Sequence, residues 1–152
     1  MTAHTKEQNN NIIEVASSIR ISIAHFVRRL RQEQVDEALS LSKLSILGIL
    51  YRNGPMTATD LATRAHIRPQ SLTRLSAFLE ERGFVSRQPD EADRRRLLIT
   101  INAEGKKALS ADVRRKEAWL AKVIEQALSP EERELLLQAS RLLDRLTGED
   151  ST

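Results

Sequence analysis

The sequence predicts a mainly α-helical protein with one small β-hairpin, and three observations carry that prediction. Apolar residues recur at helical spacing over most of the 152-residue chain. That period breaks once, near residues 84–101, where two short apolar runs flank a polar segment. Helix-boundary residues, among them Thr57, Pro69, Gly83 and the pair Ser129-Pro130, stand where the apolar period starts or stops.

The opening residues 1–9 are polar and aperiodic and read as a frayed tail. From Asn11 to about Arg31, Ile12, Val15, Ala16, Ile19, Ile23, Phe26, Val27 and Leu30 form one broad stripe of a long amphipathic helix. A second helix, about Ser42 to Arg52, is apolar almost all round and should be central. Gly54-Pro55 stops it. Thr57 can cap a short third helix, with Asp60 completing a capping-box-like pair and Leu61, Ala62 and Ala65 facing inward. His66, Ile67 and Arg68 make a turn, and Pro69 takes the first position of the next helix, where its missing N–H costs nothing. This helix runs to about Arg82 with Leu72, Leu75, Phe78 and Leu79 inward, and Gly83 fits the left-handed position that closes it.

Phe84 to Arg87 and Leu97 to Ile101 read as two strands, with a polar hairpin tip at Gln88 to Arg96. Asn102 can cap a long helix that continues to Leu128. Ser129, Pro130 and Glu132 then supply the cap, first-turn proline and capping-box acid of a last helix, with Leu135, Leu136, Ala139, Leu142, Leu143 and Leu146 along it.

Composition narrows the function classes. At 152 residues, 40% hydrophobic and 30% charged, the chain suits one ordinary domain with a core. Its apolar runs fall far short of the ~20 residues that span a bilayer. The N-terminus lacks an apolar signal core, so a cytoplasmic location is expected. Zero cysteines exclude disulfides, thiolate metal sites and thiol redox sensing. Three scattered histidines lack metal-ligand spacing, and no nucleophile motif or glycine-rich phosphate loop is present, so neither an enzyme nor a cofactor is expected.

Two short helices joined by a tight turn and followed by a two-stranded ribbon define a winged helix-turn-helix, here flanked by long helices. An α-helix fits the major groove of B-DNA, and polar side chains on its first turns reach base edges. Gln70, Ser71, Thr73 and Arg74 are such residues, with Arg68 at the head of the helix. Gln70 can pair bidentately with adenine, and Arg74 is long enough for guanine or a phosphate. Arg94, Arg95 and Arg96 crowd the hairpin tip, where an arginine can enter a narrow minor groove. Charge agrees in sign. Residues 1–40 carry five Lys/Arg against five Asp/Glu, and 106–152 carry nine against nine, so the net +3 sits entirely in 41–105, with ten against seven.

These residues resemble the MarR family of bacterial transcriptional regulators. The resemblance rests on Pro69 to Leu75, Leu79 to Val85, the wing signature Asp93, Arg95 and Ile99, and Ala103-Glu104-Gly105. It extends to segment order: a flexible tail at 1–9, an N-terminal dimerisation helix in 10–40, the winged region at 41–105, and C-terminal dimerisation helices in 106–152. Asn102 stands where the family often has threonine. The resemblance implies that Asp93 pairs with an arginine and shapes the hairpin; Asp90 and Glu91 depart from the family pattern, and their charge softens the positive field of the tip.

It also implies an obligate homodimer acting on double-stranded DNA at an inverted-repeat operator, as repressor or sometimes activator, released by a small aromatic or phenolic effector. Independently of the resemblance, leucine-rich stripes on both flanks of a small winged region call for a partner, the plainer alternative being that these helices fold back as a monomeric bundle. The implied effector pocket lies between dimer helices and winged region, where His25, Arg28 and Tyr51 could orient an anionic aromatic molecule. Plainer readings stand beside these. His25 could serve the core, His66 could be an ordinary turn residue or touch phosphate, and Arg64 and Arg87 could pair with neighbouring acids. Trp119 suits dimer packing. A winged-helix module for protein interaction or RNA binding is the alternative class, distinguished by the absence of salt-dependent duplex binding.

Overall fold

The structure, a computed structural model, describes residues 3–148, with side chains described from residue 11. Six helices and three strands follow in the order α1 (Ala3–Arg31), α2 (Leu41–Asn53), β1 (Met56–Thr57), α3 (Ala58–Arg64), α4 (Pro69–Glu81), β2 (Val85–Pro89), β3 (Leu97–Ile101), α5 (Ala103–Ala127) and α6 (Pro130–Thr147). The chain is mainly α with a small antiparallel sheet, as the sequence predicts.

Three local differences from the sequence reading have physical reasons. Helix α1 begins at Ala3, inside the stretch read as a frayed tail; Met1 and Thr2 lie outside the described residues. An apolar stripe signals burial rather than helicity, so a polar stretch gives no periodic cue even where it is helical. The hairpin expected at the wing gains a third strand, giving the order β1-β3-β2 with Met56 opposite Ile99 and Thr57 opposite Leu98. Two residues are too few to show alternation. Finally, Phe84 belongs to the turn rather than to β2: its N–H donates to Leu79 O at 2.8 Å, and that of Gly83 to Glu80 O at 2.9 Å. With Gly83 at φ +70°, this is a Schellman closure of α4.

The core lies in the winged region. Leu44, Ile46, Leu47, Ile49 and Leu50 of α2 pack with Leu61, Leu72, Leu79, Val85, Ile99 and Ile101, all buried. Helix α2 is buried on nearly every side, which matches its lack of a polar face. Gly105 lets α5 approach the turn after α4, since a Cβ there would stand 2.2 Å from Phe84 O. Asn102 stands at the head of α5, where its carbonyl accepts from Lys106 N at 3.0 Å. Its side chain, expected from the sequence to cap α5, instead joins other segments: Nδ2 donates to Gly83 O at 3.2 Å, and Oδ1 accepts from Ser86 Oγ at 3.0 Å.

Helices α1 and α6 leave many of their apolar residues exposed. On α1, Ile12, Val15, Ile23 and Phe26 are exposed, and on α6 Leu135, Leu136, Leu142 and Leu146 are exposed. No residue of α6 is buried. Its capping box is formed as expected: Glu132 N donates to Ser129 Oγ at 3.3 Å, and Ser129 N donates to Glu132 Oε2 at 2.8 Å. Contacts divide the chain into two compact units, residues 1–115 and 116–152. No helix among the described residues is long and apolar enough to cross a membrane.

Candidate nucleic-acid interface

Helix α4 is positioned by its neighbours at both ends. At the start of α3, Thr57 Oγ1 accepts from Asp60 N at 3.2 Å and donates to Asp60 Oδ2 at 2.6 Å. Helix α3 ends in a second Schellman closure, with Ile67 N donating to Ala62 O at 3.1 Å and His66 N to Thr63 O at 3.2 Å. His66 takes the left-handed position at φ +51°, the one non-glycine residue with positive φ among the described residues. Arg68 is the N-cap of α4; its carbonyl accepts from Ser71 N at 2.9 Å and Leu72 N at 3.1 Å, and Pro69 follows at N1.

One face of α4 goes into the core through Leu72, Ser76 and Leu79. The opposite face presents Gln70, Ser71, Thr73, Arg74 and Ala77 to solvent, with Arg68 exposed at its head. Thr73 Oγ1 donates to Pro69 O at 3.0 Å, which fixes its rotor and leaves its lone pairs outward. Among the described residues, the side chains of Arg68, Gln70, Ser71 and Arg74 have no hydrogen bond or ion pair within the chain. Their donors and acceptors are available to a partner.

The wing tip is held by its acids. Asp90 N donates to Arg96 O at 2.9 Å and Arg96 N to Asp93 O at 2.8 Å. Two Asx turns tighten it further: Asp90 Oδ1 accepts from Ala92 N at 3.0 Å, and Asp93 Oδ1 from Arg95 N at 3.1 Å. Asp93 also stands 3.5 Å from Arg95 Nε. Asp90 and Asp93 thus shape the tip through its backbone, while their charge still offsets part of its positive field.

The three arginines differ. Arg95 is 95% exposed and Arg94 is exposed, whereas Arg96 reaches Asp60 Oδ2 and Asp90 Oδ2, each at 3.9 Å. Arg87, which could have faced either a phosphate or an acid, donates from Nε to Glu80 Oε2 at 3.2 Å and from Nη2 to Ser76 Oγ at 3.0 Å. Ser76 carried no signal in the sequence, where Leu72, Leu75, Phe78 and Leu79 account for the inward face. Its partner sits on another element.

The expected effector residues line neither of two clefts in the chain. His25, Arg28 and Tyr51 are all exposed. A cleft of about 500 Å³ is lined by Asn53, Pro55, Met56, Asp60, Thr63 and Arg64. A second, of about 230 Å³, lies between Leu41, Ser42, Ser45, Ile46, Ala65 and Ile67. Neither includes the three.

Fold and surface together define a winged helix-turn-helix protein. Comparison with known proteins refines that class. The family model described as "MarR family" matches residues 39–97. An HTH-type transcriptional regulator of Mycobacterium bovis is 35% identical over 135 residues, covering 89% of this chain and 94% of that protein. The crystal structure of a transcriptional regulator from Pseudomonas aeruginosa superposes with a TM-score of 0.79 at 30% identity, covering 91% of this chain and 96% of that one. BpsR of Bordetella bronchiseptica, whose DNA binding is regulated by 6-hydroxynicotinic acid, shares the fold with a TM-score of 0.66 at 22% identity, covering 86% and 92% of the two chains. The chain belongs to the MarR family of helix-turn-helix, DNA-binding transcriptional regulators.

Proposed function

We propose that this regulator is a homodimeric repressor, active in the cytoplasm, that occupies an inverted-repeat operator and is released by a small aromatic or phenolic effector. The observation that carries the proposal is the exposed row Arg68, Gln70, Ser71, Thr73 and Arg74 on α4, all but Thr73 without a side-chain partner in the chain. In this reading Gln70 and Ser71 meet base edges in the major groove, with Thr73 beside them. Arg74 meets guanine or a phosphate, and Arg68 a phosphate. Arg95, supported by Asp93, is the wing's anchor in the minor groove or on the backbone, with Arg94 beside it. Arg96, drawn toward Asp60 and Asp90, contributes the weaker contact.

The exposed apolar faces of α1 and α6 support dimerisation, since apolar residues of that number seldom stay in water. A two-fold dimer sets two recognition helices one DNA turn, ~34 Å, apart. His25, Arg28 and Tyr51 would then face an effector only once the partner subunit closes a pocket over them. The effector acts through differential affinity for two dimer states, because a ligand that binds both equally shifts nothing. The regulation of BpsR by an aromatic acid supports this part of the reading.

Binding to a pool of genomic duplex fragments at two salt concentrations tests the proposal. Affinity should fall steeply as salt rises, and sequencing of the retained fragments should return an inverted repeat. Absence of any salt-dependent duplex binding overturns it in favour of a protein- or RNA-interaction module.

A further inference from the structure

We infer that Arg87 is a positioning residue that sets recognition helix α4 against the wing, acting through the buried hydroxyl of Ser76 rather than by touching DNA. The inference rests on the DNA-binding reading above. Arg87 lies in β2, the strand that leads into the wing tip, and its guanidinium spans two residues one turn apart on α4. Nη2 donates to Ser76 Oγ at 3.0 Å and Nε to Glu80 Oε2 at 3.2 Å. A planar fork held at two points on a helix constrains rotation about the helix axis as well as distance, which one contact does not do.

Ser76 makes the arrangement specific. It is 2% exposed, on the buried face of α4 between Leu72 and Leu79, where an apolar residue would satisfy packing alone. Its hydroxyl proton goes to Thr73 O at 3.2 Å, so the oxygen's lone pairs are left for Arg87. Thr73 in turn bonds back to Pro69 O at 3.0 Å. A chain of polar contacts thus runs from the base of the wing along α4 to the turn that carries Gln70 and Ser71. Major-groove readout by short side chains tolerates little misplacement, and the two DNA-facing elements must fit one duplex together.

The test separates geometry from charge. A duplex selected from a random-sequence pool by the wild type serves as specific probe, and the unselected pool as the random one. Arg87→Lys keeps the charge but cannot hold both partners, and Ser76→Ala removes a group that is out of reach of DNA. Each should lower the specific-to-random affinity ratio roughly tenfold, and the double variant should lose no more than either single one. Arg87→Ala should leave the slope of log affinity against log salt at the wild-type value. Circular dichroism and thermal melts confirm that each variant is folded.

Wild-type discrimination in both Arg87→Lys and Ser76→Ala overturns the inference. So does a salt slope reduced by about 0.9 in Arg87→Ala, the mark of a lost phosphate contact. Failure of the wild type to bind any duplex overturns the functional reading and this inference with it. Duplex binding by the wild type with additive, independent variants overturns this inference alone.

Discussion

Gly105 and His66 show how single residues carry the geometry of the winged region. A methyl at position 105 would meet Phe84 O at 2.2 Å and Ile101 Cγ1 at 2.9 Å, and that same carbonyl accepts the Asn102 N–H at 2.8 Å. Gly105→Ala should therefore cost about 1–3 kcal/mol through overpacking, read from urea unfolding. A smaller loss would mean that α5 can move away from the wing without penalty. His66 sits at φ +51°, where a branched side chain is strained. His66→Val should lose about 1–2 kcal/mol while His66→Gly stays level or gains slightly. Equal stability of the two would contradict the left-handed turn.

Residue-scale tests also divide the proposed DNA contacts by type. Arg95→Ala should weaken binding to every duplex and lower the salt slope by about 0.9. Gln70→Ala should leave random binding intact and relax preference at one base pair by about 1–3 kcal/mol. Fluorescence anisotropy on selected and random duplexes reads both. The exposed positions of Gln70, Arg74 and Arg95 were legible in the sequence because a short, well-delimited helix or a hairpin tip needs only local periodicity. Ser76 and Arg87 were not, because their bond joins a helix to a strand.

Between elements, ion pairs do the tethering. Glu33, just past α1, accepts from Arg29 Nη1 at 2.8 Å and from Arg115 Nε of α5 at 3.4 Å. The Arg29 hydrogen bond is the largest cause and, with that of Arg115 and against the opposing effect of desolvation, holds the Glu33 carboxyl below its ordinary value of 4.5. A depressed carboxylate contributes stability above its unfolded value, and that contribution is lost as pH falls through the folded one. Acidification below about pH 4.5 should thus loosen this tether. Glu33→Gln should lower the melting temperature at neutral pH and flatten its fall on acidification over that window. An unchanged acid dependence would show that the tether carries no weight. A second tether, Arg82 Nη2 to Asp36 Oδ2 at 3.0 Å, joins the end of α4 to the segment between α1 and α2. Neither long-range pair could be read from the sequence, since Glu33 and Arg115 lie 82 residues apart and Asp36 and Arg82 lie 46 apart.

At the scale of the whole molecule, the contrast between the packed winged region and the exposed apolar residues of α1 and α6 is what the proposed dimer rests on. Leu142 is 55% exposed and Leu136 45%. If these residues are buried by a second subunit, Leu142→Asp should yield a folded chain that runs as a monomer in light scattering and loses operator binding. If the wild type is itself monomeric at micromolar concentration, the dimer is wrong. The loss of binding follows from geometry, since a single recognition helix holds only one half-site.

The sequence by itself determined the six helices and the two wing strands in order, the caps at Thr57 and Ser129, the closure at Gly83 and the exposed face of α4. Each of those rests on spacing within one segment and on backbone chemistry at its ends. The tertiary structure alone decided the pairing of β1 with β3, the approach of α5 at Gly105, the unequal environments of Arg94, Arg95 and Arg96, and the bond from Arg87 to Ser76. Those depend on contacts between segments distant in the chain, and no local period encodes which distant residue a side chain will meet.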